Sequence, residues 1–428
     1  METGDNQRTA PIGTEFPPVK KREIFGWCCF DFANSAFTTV IITVVYAAYF
    51  QKVVASGDAR AEGWWGTALA LSQLLVIFAA PLVGAIADVT ARKKALLLVT
   101  VLVCSLGTMA LALVGEGEVW LALGLIVVAN VAFSTGENLC GAFLPELSTP
   151  ETAGRISGYG WSVGYFGGLL SLVLALVVIG GEGGAARVPW TFVITGAFFL
   201  LASLPTFLLM RERARPAALA KGESYLHRAF SQLATMRRDL PRHRRLAVFF
   251  VAMTVFLSGL TAIIAFAALF AINVIGMTQE QVIGLFIVLQ LAGVAGAWGF
   301  GLWQDRAGPK PALAGALVLW IVVCAWAGFC RTVTEFYVIG VLAGIAMGAL
   351  QSAARAVVST LTPAGRQGEF FGYWGFFAKL AAMVGPLSFG WMISQFGYRA
   401  AIFANAGYFL VGLLILLPLS LRPEPGRD

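Results

Sequence analysis

Charge is scarce in this chain. Asp, Glu, Lys and Arg make up 12% of its 428 residues, against roughly 25% in a soluble globular domain, so a water-soluble fold is excluded. Histidine is almost missing. The two present, His227 and His243, fall in one polar loop, which leaves no histidine-based acid–base or metal centre. No glycine-rich nucleotide motif is found. The six cysteines (28, 29, 104, 140, 324 and 330) lie in or beside apolar runs without metal-ligand spacing to histidine, and read as free thiols. No cleavable leader is expected, because residues 1–19 are polar and contain proline, and the first apolar run is too long and too aromatic for a signal-peptide core. These absences remove enzyme, metal and cofactor classes from consideration.

What remains is apolar. Hydrophobic residues make up 58% of the chain, gathered in runs of helical length rather than the ten-residue alternation of a β-barrel. Twelve spans are predicted at 24–53, 64–87, 94–115, 119–143, 156–181, 189–210, 246–275, 281–303, 311–330, 334–360, 370–394 and 399–421. The fold class is therefore an all-α integral membrane protein. The expected divisions are a cytoplasmic tail 1–23, a six-helix bundle 24–210, a basic cytoplasmic linker 211–245, a second six-helix bundle 246–421 and a tail 422–428. With the N-terminus inside, the inner segments hold 23 of the 30 Lys and Arg residues and the outer segments 5, with Arg355 and Lys379 within spans. That bias predicts both termini in the cytoplasm, and a bacterial inner (plasma) membrane is the expected location. It also accounts for the net charge of +7 without nucleic acid as a partner. In the linker, Leu226, Phe230, Leu233 and Leu240 recur at helical spacing among basic residues. They read either as an amphipathic helix on the inner membrane surface or as a solvated connection.

The two halves repeat each other. Gly84-Ala85-Ile86-Ala87-Asp88 followed by Arg92-Lys93 closes the second span, and Gly301-Leu302-Trp303-Gln304-Asp305-Arg306 closes the eighth, 217 residues later. Leu147-Ser148-Thr149-Pro150 after span four is matched by Leu361-Thr362-Pro363 after span ten. Two such loops at matched positions in a six-plus-six chain resemble the signature of the major facilitator superfamily. The resemblance implies that Asp88, Arg92, Asp305 and Arg306 gate the fold rather than touch cargo. Glycines spaced by four in spans five and ten and crowded in span eight (160, 164, 168; 340, 344, 348; 293, 296, 299, 301) serve close helix packing.

The informative residues are the intramembrane charges. Asp31, Asn34, Ser35 and Thr38 follow helical spacing and form one polar stripe in span one. Glu137 beside Asn138 lies in span four, Arg355 in span ten and Lys379 in span eleven. At 1.5 Å per residue all four charges sit on the order of 10 Å below the inner face. The N-terminal half supplies the two acids and the C-terminal half the two bases. Buried charge is costly unless partnered, and two arrangements answer that cost. Salt bridges across the halves would lock the inner side. Alternatively, the bases Arg355 and Lys379 hold a cargo carboxylate, while Asp31 and Glu137 hold an amine or a coupling proton. Gln73, Asn130, Gln290, Gln351 and Ser352 could line a cavity, although such residues more often bridge helices.

Phe30-Asp31-Phe32-Ala33-Asn34-Ser35-Ala36, Gly84-Ala85-Ile86-Ala87-Asp88, Leu144-Pro145-Glu146-Leu147 and Lys379 with Gly385-Pro386 resemble the autophagy-associated vacuolar effluxers and their bacterial relatives. The resemblance spans nearly the whole chain. It implies a major facilitator fold and export of amino acids or similar small solutes. The expected function is therefore a secondary transporter, proton-coupled or facilitative, that moves a small polar zwitterion by alternating access. Membrane lipids and a small-molecule substrate are the expected partners, and the monomer the expected state. An exporter of lysolipids or other amphiphiles is the alternative cargo class, and a non-transporting membrane receptor the alternative function.

Overall fold

The computed structural model describes residues 19–421 apart from 59, 181–183, 215, 217–223, 225–226, 228–229, 232–242 and 364. Among the described residues ten long helices come first: α1 Lys21–Val54, α2 Ala61–Thr90, α3 Lys93–Ala110, α4 Val119–Gly141, α5 Ala153–Ile179, α6 Gly184–Ala202, α7 Arg244–Asn273, α8 Gln279–Ala307, α9 Pro309–Phe329 and α10 Val333–Leu361. A last helical stretch, Gln367–Leu416, has 50 residues. At 1.5 Å per residue that is about 75 Å, more than twice a hydrocarbon core. It breaks at Gly397, whose φ of 78° lies in the left-handed region. The stretch is therefore two spans, α11 (367–396) and α12 (398–416), and the eleven apolar helical runs make twelve crossings. The expected amphipathic helix of the linker rests on Leu226, Leu233 and Leu240, which lie outside the described residues, as do most of the two tails.

Local chemistry sets several ends. Thr278 and Thr332 cap α8 and α10, each accepting from the N–H three residues on, while Gln281 and Glu335 reach back to the cap. The first helix departs from regular winding. Phe37–Val44 and Phe50–Val54 are π-helical, a form that sequence periodicity does not announce. Residues 38–45 are all β-branched, and such side chains crowd the preceding turn of an α-helix; the wider turn relieves that crowding. Thr43 Oγ1 donates to the Thr38 carbonyl at 2.8 Å, five residues back.

Two apolar cores form. One is built from residues between Trp27 and Met210, the other from residues between Leu246 and Leu421 together with Ala142. Within the first, α1 packs on α5 and α3 on α4; within the second, α7 packs on α11 and α8 on α10. The halves meet along two seams, α2 on α11 and α5 on α8, with α10 also against α5. Glycine makes these seams close. A Cβ on Gly84 would strike the Gly368 backbone, and one on Gly158 the Ala297 carbonyl. Both described ends of the chain lie on one face, called here the terminal face. There Lys94 Nζ donates to Met210 O at 2.8 Å after α6, Arg213 pairs with buried Glu23 at 2.7 Å, and Lys310 donates to the Leu417 carbonyl.

Candidate functional site: charge pairs between the halves

Asp31 lies on α1 one turn beyond Trp27, before the π-helical stretch begins. Its Oδ2 is 2.7 Å from Arg355 Nη1 of α10. Arg355 is only 4% exposed and uses most of its donors. Nη2 donates to the Ser157 carbonyl at 3.0 Å, and Nε to Ser157 Oγ at 3.2 Å. Ser157 Oγ in turn donates to the Ser352 carbonyl at 2.8 Å. The guanidinium carbon lies 4.6 Å from the Trp27 ring centre and 5.3 Å from that of Trp161. The Trp27 indole is held by donation to the Cys140 carbonyl at 2.9 Å. A buried charge is tolerated here because ion pair, hydrogen bonds and aromatic faces replace its water. It also explains why α10 runs unbroken through the arginine to Leu361.

The second pair is looser. Lys379 Nζ of α11 is 3.9 Å from Glu137 Oε2 of α4, with side-chain exposures of 15% and 29%. At that distance no hydrogen bond joins them. Asn138, next to Glu137, is buried against Gly375, and its Nδ2 has no partner among the described residues. Asn34 is also buried, with its Oδ1 unpartnered among the described residues. Gln351 accepts from Tyr165 Oη at a long 3.4 Å. Of the other polar residues in the spans, Asn130 donates to Ser72 Oγ at 2.6 Å, a packing contact within the N-terminal half.

The repeated loops form two matched caps. Asp88 at the end of α2 accepts from the N–H groups of Gly368 and Glu369 at 2.8 Å each, in the first turn of α11. Asp305 at the end of α8 accepts from Arg155 N–H at 3.1 Å, in the first turn of α5, with Arg155 Nε 3.6 Å away. Each half thus caps a helix of the other, where a carboxylate meets unpaired N–H groups and the positive end of the helix dipole. Arg92 and Arg306 are exposed. Lys93 instead occupies the site, fully buried, paired with Glu146 and 3.9 Å from Asp88. On the α11 side Glu369 is fully buried. Arg366 donates to it at 2.6 and 2.7 Å, and Tyr373 donates to it as well. Sequence reasoning did not single out Lys93, Glu146, Glu369, Trp27, Trp161 or Ser157 as site residues.

Outside the spans, Glu212 accepts from Lys94 N–H at 2.9 Å, and its burial pushes its carboxyl above the ordinary range. All of these cross-half contacts lie in the terminal half of the helices, so the terminal face is sealed.

The family model described as "Vacuole effluxer Atg22 like" matches residues 67–423. The MFS-type transporter YxiO of Bacillus subtilis (strain 168) is 25% identical over 403 residues, covering 91% of this chain and 93% of that protein. Autophagy-related protein 22 of Yarrowia lipolytica is 24% identical, over 71% of this chain and 56% of its own length. The chain spans about half the length of several such fungal relatives. Among solved structures, the human organic anion transporter MFSD10 superposes with a TM-score of 0.72 at 17% identity, covering 94% of this chain and 100% of that one. The E. coli fucose:proton symporter FucP gives 0.73 at 15% identity, covering 93% and 98%.

Proposed function

This chain belongs to the family of Atg22-like vacuole effluxers, integral membrane transporters of the major facilitator type, and from that premise we propose that it carries a small zwitterionic solute, an amino acid or near relative, by alternating access. The observation that carries the reading is the inequality of the two charge pairs. Asp31 and Arg355 are in contact at 2.7 Å, while Glu137 and Lys379 stand 3.9 Å apart and partly open. The tight pair acts as the lock of the terminal face. The loose pair holds an acid and a base at a spacing that a cargo ammonium and carboxylate can enter without first breaking a strong bond. Each charge of the cargo then meets its opposite, and neither protein group is left unpaired. The excess of Lys and Arg on the terminal side supports termini in the cytoplasm, and the bacterial relative supports a plasma membrane. Efflux is the direction that the family description supports, and Glu137 is the group in the loose pair able to take up a coupling proton.

Proteoliposomes loaded with labelled neutral amino acids test this reading. Saturable flux is expected, stimulated by a proton gradient, and both E137Q and K379Q should lower kcat/KM at least tenfold. If no amino acid moves while a labelled lysolipid does, the cargo class is wrong. If flux ignores the gradient, the proton role of Glu137 fails.

A further inference from the structure

Arg355 travels with α10, but the groups that hold its side chain belong to the other half. Trp27 and Asp31 are on α1, and Ser157 and Trp161 are on α5. Helices α1 and α5 pack directly on each other, so these four residues form one unit whether or not Arg355 is present. Gly160 makes the space. A Cβ there would fall 2.5 Å from Arg355 Nη2 and 2.7 Å from the Trp27 ring. The Trp161 indole N–H is buried and has no acceptor among the described residues. Two aromatic faces, a carboxylate and a backbone carbonyl converging on a planar cation make a receptor for guanidinium or alkylammonium. Alternating access, the reading proposed above on which this inference rests, requires the halves to part at the terminal face. The cage then stays on the N-terminal half and loses its occupant.

We propose that the cage of Trp27, Trp161, Asp31 and Ser157, vacated by Arg355 when the terminal face opens, binds the cationic head of a soluble organic cation. Arg355 is its built-in competitor and displaces that head as the face closes. The cargo class accordingly extends to zwitterions with a second, cationic group: the zwitterionic end meets Glu137 and Lys379, and the side-chain cation enters the cage. The enclosure of the cage between α1, α5 and α10, away from the lipid-facing surface, favours a water-soluble cation over a lipid headgroup.

Ethylguanidinium is the probe, because it has no carboxylate and cannot report on the Glu137–Lys379 pair. In full-length protein in nanodiscs, R355Q should bind ethylguanidinium at least tenfold more tightly than the wild type by calorimetry, and R355Q/W161L should lose that gain. Equal affinity of R355Q and the wild type overturns the proposal. So does a gain that survives W161L, or binding of lysophosphatidylcholine to R355Q with no binding of ethylguanidinium. If R355Q does not fold, spin labels at T149C and A307C, with Cys29→Ser, read the gap across the terminal face of otherwise unaltered protein. Ethylguanidinium should lengthen that distance, and W161L should abolish the effect; no lengthening overturns the proposal. Failure of either measurement leaves neutral zwitterion flux untouched, and absence of that flux leaves the binding result standing.

Discussion

Replacing Arg355 by glutamine strands the carboxylate of Asp31 where water has little access. Breaking one partner out of a buried pair costs about 3–5 kcal/mol. R355Q should therefore melt well below the wild type in detergent, and D31N/R355Q should recover much of the loss. A double variant no more stable than R355Q would show that the cation's aromatic contacts, not the ion pair, carry the stability. Glu212 makes a different prediction. Burial raises its folded pKa above the ordinary 4.5. Its contribution is therefore fully present below pH 4.5 and is lost as pH rises through the folded value. E212Q keeps an acceptor for the Lys94 N–H and removes the titration, so it should raise Tm at pH 8 and change little at pH 4.5. At this scale the sequence revealed Asp31, Glu137, Arg355 and Lys379 because charge within an apolar run is rare. It did not reveal Lys93, Glu146 or Glu369. Charges beside a helix end are ordinary, and only the cross-half packing shows that these are buried. Trp27 and Trp161 were hidden among 12 tryptophans and 32 phenylalanines.

Among elements, the caps rank themselves. Asp88 is buried and accepts from two N–H groups of α11 at 2.8 Å each, whereas Asp305 accepts from the Arg155 N–H of α5 at a longer 3.1 Å, beside a half-exposed arginine. Losing a capping side chain costs about 1–2 kcal/mol. D88A should therefore open the terminal face more than D305A, read as the longer distance between labels at Thr149 and Ala307. Equal opening would place the latch elsewhere. The number of spans and the position of both caps followed from run lengths and from the repeat. The split of the last helical stretch at Gly397 also agreed with the gap expected between spans eleven and twelve. The π-helical winding of α1 did not follow, because hydrophobic spacing over so few residues does not separate a 3.6-residue turn from a wider one. It begins six residues beyond Asp31, and unusual turns of this kind often sit at functional positions.

For the whole molecule, the seams decide which face is sealed. A Cβ on Gly368 would fall 2.5 Å from the Gly84 carbonyl oxygen and 2.9 Å from Asp88 Oδ1. Overpacking of this kind costs about 1–3 kcal/mol and acts only when the halves are together. G368A should therefore shift the population toward an open terminal face by roughly 5- to 150-fold, while G299A, which meets open space, should not. An unchanged distance distribution in G368A would mean that the α2–α11 seam does not limit closure. The repeat and the charge asymmetry let the sequence foretell two halves. The sealed state was not legible, because it depends on which of two packings the same surfaces adopt. The reciprocal caps have one more consequence. The end of α2 grips the start of α11, and the end of α8 grips the start of α5, so the contact between halves is isologous in kind, like that of a twofold dimer written into one chain. Such a surface is complementary to itself. A single six-helix unit bearing one Gly-x-x-x-Asp loop and one receiving helix start already contains both sides of the bond, and a second copy turned by half a revolution would complete it.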